Sequence, residues 1–575
     1  MIKRLSINQT TVFVGIFAAL IFIPFIGSVH LFDWDEINFA ECAREMIVSG
    51  NYSTVQINYQ PFWEKPPLFI WFQVLSMKIF GINEFAARLP NALCGIFTLM
   101  ILYRLGTRLR DSVFGWLWVF SFCGSILPFF YFKSGIIDPW FNLFIFLSIY
   151  HLIIFSNSPN EKSSLISAVW SGVFIGLATL TKGPVALLIF CLCLVVYFVI
   201  GRFRNIFSLK WFLLFAFSFL LVSGSWFGYI ALTGNTQLIF DFIEYQIRLF
   251  STQDSGHGGF FGYHFVVLLF GCFPASIFFI RGLRKDKNEI PYVSHFKKWM
   301  LILFWVVLIL FSIVKTKIVH YSSLCYFPLT FLSAYAIQKI IDSELEIGKW
   351  MKNLLLVIGT LLGFVFTILP LTDNFKNYII QNKLIDDRFT IDSLSVDAGW
   401  MGWEWIPGLL LILFSFFIYR FKGRTLKAVV LLFTFVISFT FFVMAVIVPK
   451  VEKYSQGPQI EFYTQLRGKM CYAETVNYKS YANLFYSEKR PELNTIDLVN
   501  HVNEKIQLAK KNNQEIFSFN LYATNYTRGE KIIYPAYFVV KTNHIDVFKK
   551  ECPKITELYR KGGYVFLYRP SGSIK

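Results

Sequence analysis

Charge is what this sequence has least of. Only 16% of its 575 residues are Asp, Glu, Lys or Arg, where soluble globular chains carry roughly 25%, and this excludes a soluble enzyme. Acidic residues are the scarcer sign, 36 against 54 Lys and Arg, for a formal charge of +18. Glycine-rich nucleotide loops are missing, and with them direct nucleotide chemistry. The nine cysteines make no CxxC pair and no zinc-ligand spacing. Most of them lie in apolar runs, where thiols serve as small inert filler. There is no internal repeat of the kind that builds two-halved transporters. No small-x-small cleavage site precedes Val29-His30, so the first apolar run is expected to stay as a signal anchor.

What is abundant is apolar and aromatic surface, 55% and 19% of the chain. Such a chain would collapse from water rather than stay disordered. About 20 apolar residues cross a hydrocarbon layer about 30 Å thick. Thirteen such spans fit, near 10–29, 86–105, 113–132, 137–156, 164–181, 184–201, 210–232, 263–281, 298–314, 319–341, 350–370, 404–421 and 427–448. With the N-terminus inside, the cytoplasmic loops carry Arg104, Arg108, Arg110, Arg281, Arg284, Lys297 and Lys298. Acidic residues such as Asp33, Asp35, Glu36 and Glu41 fall on the other side. The net charge therefore marks orientation and gives no reason to invoke nucleic acid. The fold class expected is a polytopic all-α membrane protein, its membrane domain spanning residues 1–449.

Residues 450–575 change character. Apolar runs shorten to strand length at 515–522, 534–541 and 564–568, with a helix-like stretch at 498–512. This reads as a small extramembrane α/β domain. Its Cys471 and Cys552 pair in an oxidising compartment or stay free; both readings stand.

The first external loop, 30–85, is too long and polar to be a mere connector. Asp35-Glu36 opens a helix, where carboxylates also serve simply as caps. Glu64-Lys65 sits between aromatics and a double proline, and Leu68–Phe80 has the spacing of an interfacial helix. Asp138 begins one apolar span, and Lys182 interrupts two others, where snorkelling is the plain alternative. Arg248, His257, His264, His320 and Tyr321 fall at the same external face. Ionisable groups beside hydrocarbon are costly and tend to be functional or paired. Their convergence suggests one site with carboxylates for proton transfer and cations for an anionic, phosphate-bearing substrate.

Several of these motifs match a family. Asp35-Glu-Ile-Asn-Phe-Ala-Glu41, Arg44-Glu-Met46, Glu64-Lys-Pro-Pro67, Phe85-Ala-Ala-Arg-Leu-Pro90, Ile137-Asp-Pro139, Thr181-Lys-Gly183 and His320-Tyr321 resemble the bacterial branch of the protein O-mannosyltransferase and lipid A aminoarabinose transferase superfamily. These are integral-membrane GT-C glycosyltransferases. The resemblance implies a GT-C fold of about thirteen helices with a C-terminal α/β domain. It implies an inverting transfer of a sugar, an amino sugar such as 4-amino-4-deoxy-arabinose or a hexose, from a polyprenyl-phosphate donor. The acceptor would be lipid A or another envelope glycolipid, with protein O-glycosylation as the alternative. Asp35 and Asp138 would be the catalytic carboxylates with Glu36 beside them, and Lys65, Arg248 and Lys182 would bind the donor phosphate. Glu64, His320 and Tyr321 would complete the site. A divalent metal ion would take Glu64, with His257 or His264 replacing the family's histidine, which here is Tyr245; the alternative is that no metal binds. The resemblance further implies residence in a bacterial inner membrane, among its lipids, with site and C-terminal domain on the periplasmic side.

Overall fold

Apolar runs of membrane length become helices throughout the first three-quarters of the chain. The computed structural model describes residues 6–572 apart from 63, 158–160, 204–206, 252–257, 285–288, 344–346, 383, 423–424, 513–517 and 553. Among the described residues, eight helices are long and apolar enough to cross a membrane, and one bent pair makes a ninth. Five shorter apolar helices accompany them, Ile7–Phe22, Leu68–Phe80, Ser112–Cys123, Val185–Ile200 and Ile406–Arg420. Every expected span coincides with one of these elements, although three are less regular than a plain span. The eighth bends by 113° between Tyr263–Gly271 and Ala275–Gly282. Pro274 stands at the break, where it has no N–H to donate to the preceding turn. The third splits into Ser112–Cys123 and Ile126–Tyr131, and the tenth begins as a 3-10 turn, Val319–Cys325.

Local sequence sets the helix starts. Ser6 and Gln9 form a reciprocal capping box on the first helix. Asn83 caps Glu84–Leu109, Asp111 caps Ser112–Cys123 and Ser208 caps Leu209–Leu232, each accepting a backbone N–H of the first turn.

The first loop is ordered by the C-terminal unit. It contains helix Asp35–Ser49, the short hairpin β1 (Gln56–Ile57) and β2 (Gln60–Pro61), and helix Leu68–Phe80. Asn58 and Tyr59 both have φ of 56°, as a two-residue hairpin turn of matching twist requires. Glu45 holds this turn by accepting the N–H groups of Asn58 and Tyr59 at 2.6 and 2.7 Å. The turn then reaches the C-terminal unit: Tyr59 Oη donates to the Lys489 carbonyl at 2.6 Å, and Asn58 Nδ2 to Asn520 Oδ1 at 2.7 Å. Ile37, Ala40 and Met46 share one apolar core with Ile460, Phe462 and Phe566.

The C-terminal unit is α/β. Its sheet has the order β3-β4-β6-β5, from Tyr472–Val476, Ala536–Lys541, Tyr564–Arg569 and Thr556–Lys561. β3 pairs parallel with β4, and the other pairs are antiparallel. One expectation is corrected. The expected strand at 515–522 is instead the start of helix Phe519–Gly529, capped by Ser518, with 515–517 outside the described residues. Its buried residues Ala523, Thr524 and Thr527 have helical spacing, and the period-2 run of Phe517, Phe519 and Leu521 misleads. The boundary at 450 falls inside a helix, since Thr425–Ser455 runs on through a π turn at Val443–Ile447. Cys471 and Cys552 are both buried and free, each in a different apolar cluster.

Candidate functional site

Four of the expected site residues sit at helix ends or a tight turn, which brings distant parts of the chain together. Asp35 and Asp138 are the first residues of helices Asp35–Ser49 and Asp138–Asn157, where the helix dipole favours a carboxylate. Lys182 ends helix Glu161–Lys182, the favourable end for a cation. His320 comes from the 3-10 turn Val319–Cys325. Its Nε2 is 3.2 Å from Asp35 Oδ2 and 3.7 Å from Asp138 Oδ2. Lys182 Nζ closes the set at 2.6 Å from Asp138 Oδ1. Burial would raise the Asp35 carboxyl, but the hydrogen bond and charge of His320, with Lys65 and Lys182, hold it at about 2. Asp35 is thus a carboxylate at any physiological pH.

These side chains line a cavity of about 1020 Å³ that also admits Lys65, Tyr245 and Tyr321. Burial lowers the Lys65 ammonium below the usual lysine range, against the opposing charges of Glu64 and Asp35. Tyr245 organises this edge. Its hydroxyl donates to Glu64 Oε2 at 3.0 Å. Its ring centroid lies 5.4 Å from Lys65 Nζ and 5.4 Å from the Arg248 guanidinium carbon. Arg248 therefore borders the cavity across the Tyr245 ring. Tyr321 stacks under Lys182, whose Nζ is 4.9 Å from its ring centroid.

Glu36 differs from its expected part. It accepts from Arg88 Nε at 3.0 Å and Nη2 at 2.7 Å, from the Phe32 N–H at 2.9 Å, and from the Gly135 N–H. With both oxygens engaged and the side chain buried, it ties the first loop to helix Glu84–Leu109 rather than serving a reacting atom. For a metal ion, the described residues hold no three His, Cys, Asp or Glu side chains placed as ligands. Glu64 is engaged by Tyr245, His264 is buried off the cavity, and His257 lies outside the described residues. The described residues thus do not make up a divalent-cation site around Glu64, and no step below runs through one.

Sequence reasoning gave no part to four further cavity residues. Arg88 stood in a quoted motif, and an arginine within an apolar span was its signal. Lys133 faces the cavity but donates to the carbonyls of Phe22 and Pro24 at 3.3 and 2.7 Å, where the first helix ends. Lys479 and Lys541 enter from the C-terminal unit, and nothing in their local sequence announced it.

The arrangement has a defined chemical capacity. An ionised carboxylate held by an imidazole can take or steer the proton of an incoming nucleophile. Fixed cations a short way off can stabilise an anion that departs. The cavity has room for a sugar between the two.

Residues 64–226 match the model of the dolichyl-phosphate-mannose-protein mannosyltransferase family. The chain is 25% identical over 386 residues to the undecaprenyl phosphate-alpha-4-amino-4-deoxy-L-arabinose arabinosyl transferase 1 of Proteus mirabilis, covering 67% of this chain and 68% of that one. It is 26% identical over 343 residues to the corresponding transferase of Shewanella sediminis, covering 59% and 62%. The aligned part therefore spans a little under or over two thirds of these relatives. The crystal structure of ArnT from Cupriavidus metallidurans bound to undecaprenyl phosphate superposes with a TM-score of 0.72 over 98% of both chains at 16% identity, which shows a shared fold. The motifs, the family match over residues 64–226 and the shared fold point the same way: the chain is similar in sequence and architecture to the membrane glycosyltransferases named above.

Proposed function

We propose that this protein transfers a sugar, of the 4-amino-4-deoxy-arabinose type, from a polyprenyl-phosphate donor to lipid A or another envelope glycolipid. The observation that carries this reading is the convergence of Asp35, Asp138, His320, Lys65 and Lys182 on one cavity. The relatives named for undecaprenyl phosphate-linked aminoarabinose support the donor class. In this reading Asp35 removes or steers the acceptor proton, and His320 and Asp138 keep it aligned. Lys65, with Lys182 and Arg248 nearby, offsets charge growing on the leaving phosphate. The nucleophile attacks the face opposite the departing phosphate, so the anomeric configuration inverts. Sequence asymmetry in the loops supports a periplasmic placement of the cavity and the C-terminal unit in a bacterial inner membrane.

The test is transfer by the purified chain. Polyprenyl-phosphate-linked aminoarabinose and lipid A are incubated with it, and products are read by mass spectrometry. A pentosamine adduct on lipid A is expected. An adduct on peptide but not on lipid would replace the acceptor, and no adduct on either would overturn the reading.

A further inference from the structure

The cavity carries two separate groups of cations, and the donor accounts for one. Asp33 and Asp35 lie on either side of Trp34, yet they answer to different charges. The charges of His320, Lys65 and Lys182 act on Asp35, whereas that of Lys541 acts on Asp33. Lys541 closes strand β4 and Lys479 follows strand β3, so both come from the C-terminal unit.

Neither lysine is spent on the fold. Among the described residues, no carboxylate lies within ion-pair distance of Lys479 or Lys541, in contrast to Lys182, paired with Asp138. Lys133, another cation lining the cavity, is committed to the carbonyls of Phe22 and Pro24. Aromatic rings hold the two heads instead. Lys479 Nζ is 3.9 Å from the Trp34 ring centroid, and Lys541 Nζ is 4.7 and 5.1 Å from those of Phe389 and Tyr478. Such contacts restrict an ammonium without neutralising it. Restricted cations on a cavity wall, with no ion-pair partner in contact among the described residues, are suited to an anion. Their position decides which one. Both lysines line the same cavity as Asp35 but come from the C-terminal unit, so an anion held by them belongs to a molecule that shares the cavity with Asp35.

We infer that Lys479 and Lys541 form an acceptor subsite that binds a phosphate group on the glycolipid head, separate from the donor cations Lys65 and Lys182. This rests on the transferase reading above. It gives the C-terminal unit a part in substrate selection, with the aromatic rings beside the lysines offering faces for the sugar rings of the head.

The test separates binding from transfer. Full-length protein in detergent is titrated with bisphosphorylated lipid A and with the same lipid after phosphatase treatment. Wild type is expected to bind the phosphorylated form roughly tenfold tighter, the scale of one or two charge-assisted hydrogen bonds. In Lys479→Ala/Lys541→Ala that preference disappears and the KM for phosphorylated acceptor rises by about the same factor. Lys479→Arg/Lys541→Arg keeps most of it. Lys479→Gln, at an exposed position, gives a partial loss should the double variant fold poorly. A double alanine variant with the wild-type preference, a wild type with none, or equal displacement by phosphatidylglycerol would each overturn the subsite. Should the preference depend on the lysines while wild type transfers no sugar, the subsite stands and the proposed function falls.

Discussion

His320 Nε2 lies 3.2 Å from Asp35 Oδ2, across 285 positions of sequence, and this contact holds the catalytic candidate as an anion. The imidazole supplies the hydrogen bond and a large part of the charge that keep the carboxyl at about 2 against its burial. Replacing it therefore has a signed consequence. In His320→Ala the Asp35 carboxyl rises, so the acid limb of the kcat profile, where activity falls as the carboxylate protonates, moves to higher pH. His320→Gln, whose amide can still donate, should move it less. We expect kcat to fall by roughly tenfold to a hundredfold in the alanine variant. An unmoved acid limb would show that His320 does not position Asp35.

Asp35→Asn keeps the shape and removes the charge. Transfer should fall by about 10²–10⁴-fold, the usual worth of a general base, while the donor still binds. Labelled-donor binding and turnover on one preparation separate these effects. Turnover at the wild-type rate would remove Asp35 from the mechanism.

Lys65 is half-buried on the cavity, and the charges of Glu64 and Asp35 act on it. Its truncation should act on the donor: Lys65→Ala is expected to raise the donor KM by roughly tenfold or more, the scale of a lost charge-assisted contact, and to affect acceptor KM little. Donor titrations that superpose on wild type would end the phosphate assignment.

How much of this was legible in the sequence depends on the kind of interaction. Asp35, Lys65, Asp138, Lys182 and His320 stood out because a charge at the end of an apolar run is costly and needs a reason. Their shared side followed from alternation of loops, which span counting supplies. Pairings across long separations have no such local signature. Nothing near Glu36 tells of Arg88, and nothing near Asp33 tells of Lys541. The same limit hid strand Tyr472–Val476, which is buried on both faces and so lacks alternation, and it let the run before Ala523 pass as a strand. Glu36 looked catalytic because it adjoins Asp35, yet successive helix residues point about 100° apart.

Asp33 offers a pH test of the part of the cavity lined by Lys541. Asp33 is exposed on the cavity wall, yet the protein crowded around that wall pushes its carboxyl up to about 6, against the hydrogen bond from Ser480 and the charge of Lys541. The folded state thus holds a proton more tightly than the unfolded one, whose pKa is about 3.9. That contribution to stability is fully present below pH about 4 and is lost as pH rises through about 6. Asp33→Asn removes the loss and can still accept from Ser480. Its thermal midpoint in detergent should exceed that of wild type at pH 8 and match it at pH 3.5. Cavity water screens the charge and keeps the gain small, but its sign is fixed. A variant less stable than wild type at pH 8 would refute the assignment.

The pair Glu36–Arg88 should prove structural. Beyond its two bonds to Glu36, Arg88 donates to the carbonyls of Ile26, Val29 and His30 at 2.8, 2.6 and 2.9 Å, so one guanidinium gathers the chain just before the first loop. Arg88→Met strips those carbonyls and strands a buried carboxylate, which costs about 3–5 kcal/mol in comparable sites. The thermal midpoint should drop clearly, and much less protein should fold. Adding Glu36→Gln removes the stranded charge, so the double variant should regain part of the loss, a coupling that a double-mutant cycle reads directly. Were Glu36 a reacting group, Glu36→Gln alone would abolish turnover in protein of wild-type stability. As a tie, it should instead lower stability, and the folded fraction should retain measurable transfer because Asp35 and His320 are untouched.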